Sequence, residues 1–226
     1  MNELASHQSV GPTEMVGRRY LPGMGRDWLL FLYDPVTRLI GIESAHRTLA
    51  DQAELESAAR VLEIGCGTGN LALMVKRMRP QLEVVGLDPD PAALARAGRK
   101  ARRAGLPVEL DRGFADDLPY PDASFDRVLS SLMFHHLDAG LRLASLREVL
   151  RVLRPGGSLH LMDFGGESHH LHGLARVARR SRTLKDNWDD RIPTRMREAG
   201  FVEAAETGHI TKRIGRLTCY RATRPQ

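Results

Sequence analysis

The chain has 226 residues, with 33 basic against 28 acidic side chains, a formal charge of +5 and two cysteines. That length suits one domain able to bury a full core without disulfides or a structural metal. Cys66 and Cys219 are too few for a disulfide framework and lack the close spacing of a zinc site. No run approaches the roughly 18 apolar residues of a membrane span, and the N-terminus MNELASHQSVGPTEM has no basic start followed by an apolar core. The expectation is a cytoplasmic protein without a metal, whose small positive excess does not by itself argue for nucleic acid.

Ahead of residue 60, Trp28, Leu29, Leu32, Leu39 and Ile42 predict helices interrupted at Asp34-Pro35, because proline disfavours helical geometry in the residue before it. Residues 1–58 are therefore read as a tail and helical cap, and 59–226 as the core. In that core the runs 60–64, 82–87, 108–110, 127–130 and 158–163 read as short buried strands separated by helix or loop signals. Strands so spaced need crossovers to lie parallel. Asp90-Pro91 starts a helix over 91–104 that Gly105 and Pro107 end. Asp138 caps another, in which Leu143, Leu146, Leu150 and Leu153 recur as a core stripe until Pro155-Gly156-Gly157 stops it. A last helix over 192–199 ends at Gly200, and the runs 201–205 and 216–222 predict a closing pair of strands. The pattern describes an α/β protein with a doubly wound sheet of about seven strands, parallel except for one near the C-terminus.

The segment VLEIGCGTGNL, residues 61–71, sets Gly65, Gly67 and Gly69 between a strand and a helix. Glycine lets a ligand approach the backbone, and the helix start offers unpaired N–H groups, so a nucleotide or nucleoside is the expected guest. A dinucleotide loop G-x-G-x-x-G/A would need glycine or alanine where Asn70 stands, which disfavours a dehydrogenase. The next strand ends in GLDPD, placing Asp88 19 residues after Gly69, where a carboxylate can accept from both ribose hydroxyls. The bland alternative for Asp88 is a helix cap, a post for which Asp90 is better placed.

G-x-G-x-G preceded by Glu63, the acid Asp88, GFADDLPYPDASFD at 113–126, SSLMFHHL at 130–137 and LRPGG at 153–157 form an ordered set. This set resembles the class I S-adenosylmethionine-dependent methyltransferases over residues 60–163, in the small-molecule branch that includes the ubiquinone and menaquinone C-methyltransferases. The resemblance implies a Rossmann-like seven-stranded sheet and S-adenosylmethionine as cofactor, with S-adenosylhomocysteine as product. It implies cofactor contacts from Tyr33, Glu63, Gly65, Gly67, Gly69, Asp88, Pro89, Ala115, Asp116 and Ser131. The family commonly has an aspartate where this chain has Phe114, so Ala115 keeps a backbone role toward adenine and Asp116 is the nearest carboxylate to replace the missing one. Cys66 lies inside the loop, where a small side chain is required and no neighbour in sequence offers a base.

Methyl transfer is an in-line displacement that needs chiefly alignment, and a base helps when the nucleophile must lose a proton. His135 and His136 follow the fourth strand at its carboxyl edge and are the catalytic candidates; the alternative is one packing histidine and one that starts a turn. The acceptor pocket is expected from Tyr20, Trp28 and Tyr33 of the cap, from His135, and from His169 in a variable lid over about 165–188. That lid also holds a basic stretch at 176–185, read as a solvated face, an anionic-substrate site or a patch for peripheral membrane contact. The histidines 169, 170 and 172 lack a helical i, i+4 pair, so no metal is expected. Two rival functions remain. A nucleic-acid or protein methyltransferase would usually carry an acid-or-Asn-Pro-Pro-aromatic motif where Ser130-Ser131-Leu132-Met133 stands, and a non-catalytic cofactor-binding scaffold would keep the loop without turnover.

Overall fold

The computed structural model describes residues 41–165, 191–212 and 215–226. In chain order it contains α1 (Ile42–Gln52), a 3-10 turn (Leu55–Ser57), β1 (Arg60–Ile64), α2 (Asn70–Met78), β2 (Glu83–Asp88), α3 (Pro91–Ala104), β3 (Glu109–Arg112) and β4 (Phe125–Ser131). A second 3-10 turn (Phe134–His136), α4 (Ala139–Val152), β5 (Leu153–Phe164), α5 (Arg191–Glu198), β6 (Val202–Lys212) and β7 (Gly215–Thr223) complete it. The strand order is β3-β2-β1-β4-β5-β7-β6. β7 runs antiparallel to both neighbours, and the other neighbouring pairs are parallel. This is the expected doubly wound sheet with a single reversed strand.

Local chemistry explains most element ends. Asp90 caps α3 by accepting from Ala92 N at 2.8 Å and Ala93 N at 3.3 Å, with Pro91 in the first turn, and the helix stops at Gly105 as expected. Asp138 caps α4 through Leu141 N at 2.9 Å. The buried faces form two hydrophobic clusters, one containing Val85, Phe125, Phe134, Leu146 and Tyr220, the other Leu49, Val61, Leu71, Val75 and Met162. Helices therefore cover both faces of the sheet.

Three expectations need correction. The Pro155-Gly156-Gly157 stretch does not end a helix: α4 stops at Val152, and Leu153–Phe164 is one long strand. The C-terminal tail causes this, since Gly156 N donates to Arg224 O and Arg224 N donates to Gly157 O, which draws the stretch into the sheet. The closing strands are likewise longer than 201–205 and 216–222 because they pair as one hairpin from Val202↔Thr223 to Lys212↔Gly215. The α4 core stripe is rotated: Arg142, Ser145, Leu146, Val149 and Val152 are buried, whereas Leu143 and Leu150 are only partly so. Arg142, 0% exposed, turns inward because its Nε donates to Phe134 O at 3.2 Å and its guanidinium lies 5.6 Å from the Phe134 ring centroid. The expected lid over 165–188 lies outside the described residues apart from Gly165, as do the cap residues ahead of Gly41.

Asp90→Ala should cost roughly 1 kcal/mol, because two first-turn N–H groups lose their acceptor. On a domain of this size that lowers the thermal midpoint by about 2–4 °C, readable by circular dichroism. An unchanged midpoint would show that the cap carries no stability.

A glycine cradle and a histidine–aspartate pair at the carboxyl edge

The loop 65–69 leaves β1 at the point where the strand order reverses, with β2 on one side and β4 on the other. Ligands of open α/β sheets bind in the crevice at such a point. The loop backbone is pinned from below: Gly65 N and Cys66 N both donate to Leu87 O, at 2.8 and 3.0 Å. Gly65 has φ +69°, and a Cβ there would stand 2.3 Å from Met133 Cγ, so only glycine is tolerated. Gly67 differs. A Cβ on it would meet no atom within 4 Å, so the loop apex borders open space where a ligand can approach the backbone.

Asp88 stands at the end of β2 beside that apex. Its carboxylate accepts from Gly67 N at 2.8 Å and from Asp90 N at 2.9 Å, and burial raises its pKa against those two bonds. Glu63 lies beneath the loop, 3% exposed, and accepts from Ala72 N in the first turn of α2 at 2.7 Å. Burial pushes its carboxyl up to about 8, opposed by the Ala72 bond. Its carboxylate thus ties the α2 N-terminus to the floor of the loop. Cys66 is buried and its thiol pKa is raised far above the usual range, chiefly by burial, which agrees with a packing role.

The remaining candidates fall on both sides of this cradle. The Pro89 carbonyl accepts from Arg112 Nε at 3.2 Å. Phe114, Ala115 and Asp116 are half-buried in a tight turn after β3, closed by Asp117 N donating to Phe114 O at 3.2 Å. Ser131, at the end of β4, shares a 3.0 Å hydrogen bond with His46 Nε2 on α1. His46 was not foreseen. It is buried, and burial together with the Lys100 cation lowers its pKa to about 4. A cavity of about 120 Å3 lies against His46 between α1 and α2, with Leu73, Met74, Arg77 and Lys100 in its walls.

Beyond β4 the chain turns sharply at Leu132, a non-glycine residue at φ +55°, and enters the 3-10 turn that carries both histidines. His135 Nδ1 lies 2.7 Å from Asp163 Oδ1, and His135 N donates to Asp163 Oδ2 at 2.8 Å. Asp163, on the neighbouring β5, is 0% exposed and was also not foreseen. The only sequence signal for it is an acid at the carboxyl end of an apolar strand, HLMDF. His136 packs 4.1 Å from the His135 ring; burial, and then the neighbouring His135, lower its pKa to about 4. Tyr20, Trp28, Tyr33 and His169 lie outside the described residues.

A profile described as methyltransferase domain matches residues 61–157. Residues 61–157 are a methyltransferase domain of the class I fold. The demethylmenaquinone methyltransferase of Thermus thermophilus is 42% identical over 145 residues, covering 63% of this chain and 65% of the relative. That of Deinococcus radiodurans is 38% identical over 144 residues, covering 62% and 59%. The methyltransferase domain and its flanks thus match about three-fifths of those relatives' lengths. Among solved structures, the phosphoethanolamine N-methyltransferase 2 of Haemonchus contortus superposes with a TM-score of 0.73 over 90% of this chain and 58% of that one, at 15% identity, a likeness of fold.

Burial also sets the acid stability of the folded chain. His46, His136 and His160 have folded-state pKa values lowered to about 4, 4 and 3, each chiefly by burial, against an ordinary 6.5. Below pH 6.5 the unfolded chain takes up protons at these sites while the folded one does not, so stability is lost as pH falls from 6.5 toward 4. Glu63, between about 4.5 and 8, and Asp88, also raised by burial, work in the opposite direction, but as two groups against three. Urea unfolding across that range should show the decline, and His160→Gln, which keeps a partner for Ser158 Oγ, should flatten it. An identical pH profile in the variant would remove His160 from the account.

Proposed function

We propose that this protein transfers a methyl group from S-adenosylmethionine to an O, N or C nucleophile of a small molecule, leaving S-adenosylhomocysteine. The observation that carries the reading is the open apex at Gly67 beside the Asp88 carboxylate at the reversal of strand order. In this reading Asp88 accepts from the ribose hydroxyls, the loop from Gly65 to Gly69 approaches the methionyl end, and Pro89, Ala115 and Asp116 flank the adenine. Ser131, held by His46, closes the methionyl side, and Tyr33 adds a contact from the cap. When bound, the cofactor supplies an electrophilic methyl on a sulfonium; the chain supplies alignment.

Several observations favour a small acceptor over a nucleic acid or protein. The segment after β4 is a 3-10 turn with two histidines, without the acid-or-Asn-Pro-Pro-aromatic sequence that grips an exocyclic amine. The relatives at 38% and 42% identity bear the names of quinone methyltransferases. Among the described residues no helix is long and apolar enough to cross a membrane. Peripheral contact through the 176–185 stretch and a cytoplasmic location belong to the same reading. A catalytic rather than scaffolding role is favoured by His135, whose ring is held by a buried carboxylate at the edge the methyl must face.

Asp88→Ala should weaken binding of S-adenosylhomocysteine at least about tenfold, roughly 1.4 kcal/mol, through loss of charge-assisted hydrogen bonds. Calorimetry on a variant with native circular dichroism measures this, and unchanged affinity would remove Asp88 from the site. Incubating the wild-type chain with methyl-labelled cofactor and pooled small-molecule, RNA and protein fractions should label only the first. Label in RNA or protein would replace the small-molecule reading, and binding without label in any pool would leave a scaffold.

A further inference from the structure

The helix α3 is 14 residues long and reads PAALARAGRKARRA. It carries five of the chain's 33 basic residues and none of the 28 acidic ones, so the rest of the chain holds 28 of each sign and the formal excess of +5 matches this one helix. Ala93, Ala97 and Ala101 recur every fourth residue and are buried, which turns Arg99, Arg102 and Arg103 outward, exposed, with Arg96 and Lys100 half-buried on one flank. Arg99, Arg102 and Arg103 make no hydrogen bond or ion pair among the described residues. The helix dipole accounts for Arg102 and Arg103 in the last turn, but not for Arg96 and Arg99, which lie in the middle. Like charges one turn apart destabilise a helix, and α3 has no acid of its own to offset them.

Lys100 joins this ridge to the cavity beside His46. The apolar part of that recess is Ile42 from α1 with Leu73 and Met74 from α2, which are 2%, 6% and 8% exposed. Arg77, also in its wall, is exposed and has no ion pair among the described residues. Lys100 Nζ donates to Asn70 Oδ1 and to Thr68 Oγ1, the latter at 3.4 Å, so the ridge is tied to the start of α2. α1 packs on α2 and β5, whereas α3 packs on β2 and β3, so the recess has α1 on one side of α2 and α3 on the other. Its acid, Glu43, belongs to the α1 side.

From the recess and the ridge together we infer that the α2–α3 face is a docking surface for an acidic amphipathic segment of a second protein. An apolar side chain of that segment enters the recess over Leu73 and Met74, and carboxylates beside it pair with Arg77 and the α3 arginines. Guanidinium forks hold carboxylates in two parallel bonds, which gives the contact direction as well as charge. Glu43 fixes the orientation, because it repels a carboxylate placed on the α1 side. Other anionic surfaces fit less well. A bilayer is gripped by protruding apolar side chains, yet the apolar groups here are recessed, and the exposed residues of α3 other than its arginines are Pro91 and alanines. Single-stranded nucleic acid is held by stacking on aromatic rings, of which α2 and α3 have none, and a duplex offers no apolar group for the recess. α3 runs back from the carboxyl edge between the parallel strands β2 and β3, so Arg99 and Arg103 lie away from the glycine cradle and docking leaves its mouth open.

The test uses the full chain and designed probes, and none of its measurements involves the cofactor, so its outcome is separate from the methyl-transfer reading. A fluorescent peptide of about five helical turns, with leucines on one face and glutamates flanking them, is titrated with the protein and followed by anisotropy. Wild type should bind it, more weakly as salt rises from about 50 to about 300 mM, because exposed ion pairs are screened. Exchanging the glutamates for glutamines, or the leucines for serines, should each weaken binding at least about tenfold. Arg99→Glu combined with Arg103→Glu should weaken the acidic peptide as much and create binding to a lysine version of it that wild type does not take. Amide chemical-shift changes on adding the acidic peptide should gather on α2 and α3. Both arginines are exposed, so the circular dichroism should stay native; if the reversed variant does not fold, Arg99→Gln with Arg103→Gln makes the same comparison. Phosphatidylcholine vesicles with about one-third phosphatidylglycerol, and duplex DNA of about 20 base pairs, are titrated in parallel. Absence of peptide binding, binding that survives the arginine or glutamate substitutions, or shift changes gathered elsewhere each overturns the inference. So does binding of vesicles or DNA, lost in the arginine variant, when the peptide stays unbound, and the face then belongs to a membrane or a nucleic acid.

Discussion

A loop that bends back on itself at the mouth of a sheet exposes several N–H groups to a region a ligand must enter, and each needs an acceptor that leaves the entrance clear. Here the acceptors come from below and from the side. Leu87 O takes Gly65 and Cys66, Asp88 takes Gly67, and Glu63 takes Ala72 where the loop becomes α2. Two of these acceptors are carboxylates whose pKa values burial raises, so the loop is held by groups that themselves cost free energy to bury. That expense is sensible only where the resulting backbone shape is required, and Gly67, facing open space, is the part of the loop so shaped.

The opposite wall follows from the same loop. Met133 occupies the space over Gly65 that any side chain would fill, and it reaches there because Leu132 adopts φ +55° and turns the chain off β4. The turn delivers His135 to the next strand, where Asp163 waits one position beyond Met162, the register partner of Ser131. Cradle and histidine pair are thus two consequences of one packing relation between β1 and β4. A substitution that shifts Met133 is expected to disturb both.

Much of this was legible in the sequence, for reasons that differ by element. The strands β1 and β2, the helix Pro91–Ala104 and the caps Asp90 and Asp138 depend on neighbours a few residues away, and local pattern found them. Asp88 and the glycines were legible because their spacing is tied to a strand–loop–helix unit. His46 and Asp163 were not, since each acts on a partner far along the chain, 85 residues from Ser131 in one case and 28 from His135 in the other. Sequence periodicity carries no trace of a partner chosen by sheet register. The inward Arg142 and the long strand from Leu153 share this cause: a carbonyl at Phe134 and a tail at Arg224 overrode apolar spacing and a Pro-Gly-Gly stop. Tyr20, Trp28, Tyr33 and His169 lie outside the described residues and carry no weight in either direction.

The span shared with the methyltransferase profile, 61–157, holds the loop, Asp88, the 113–117 turn and His135, but neither His46 nor Asp163. The two residues that orient polar groups at the carboxyl edge therefore come from the segments flanking that span, α1 and the end of β5. Such a division has a physical basis. A nucleoside presents the same hydroxyls and ring atoms to every enzyme that uses it, so its cradle can be fixed in one rigid unit, whereas the acceptor side must differ with the proton to be removed. A carboxylate on β5 orients a histidine in the turn after β4 without touching the backbone of the cradle, because β4 and β5 already lie in register. Substitution at Asp163 leaves the loop itself unchanged and acts on the turn after β4, whose backbone N–H and His135 ring it holds.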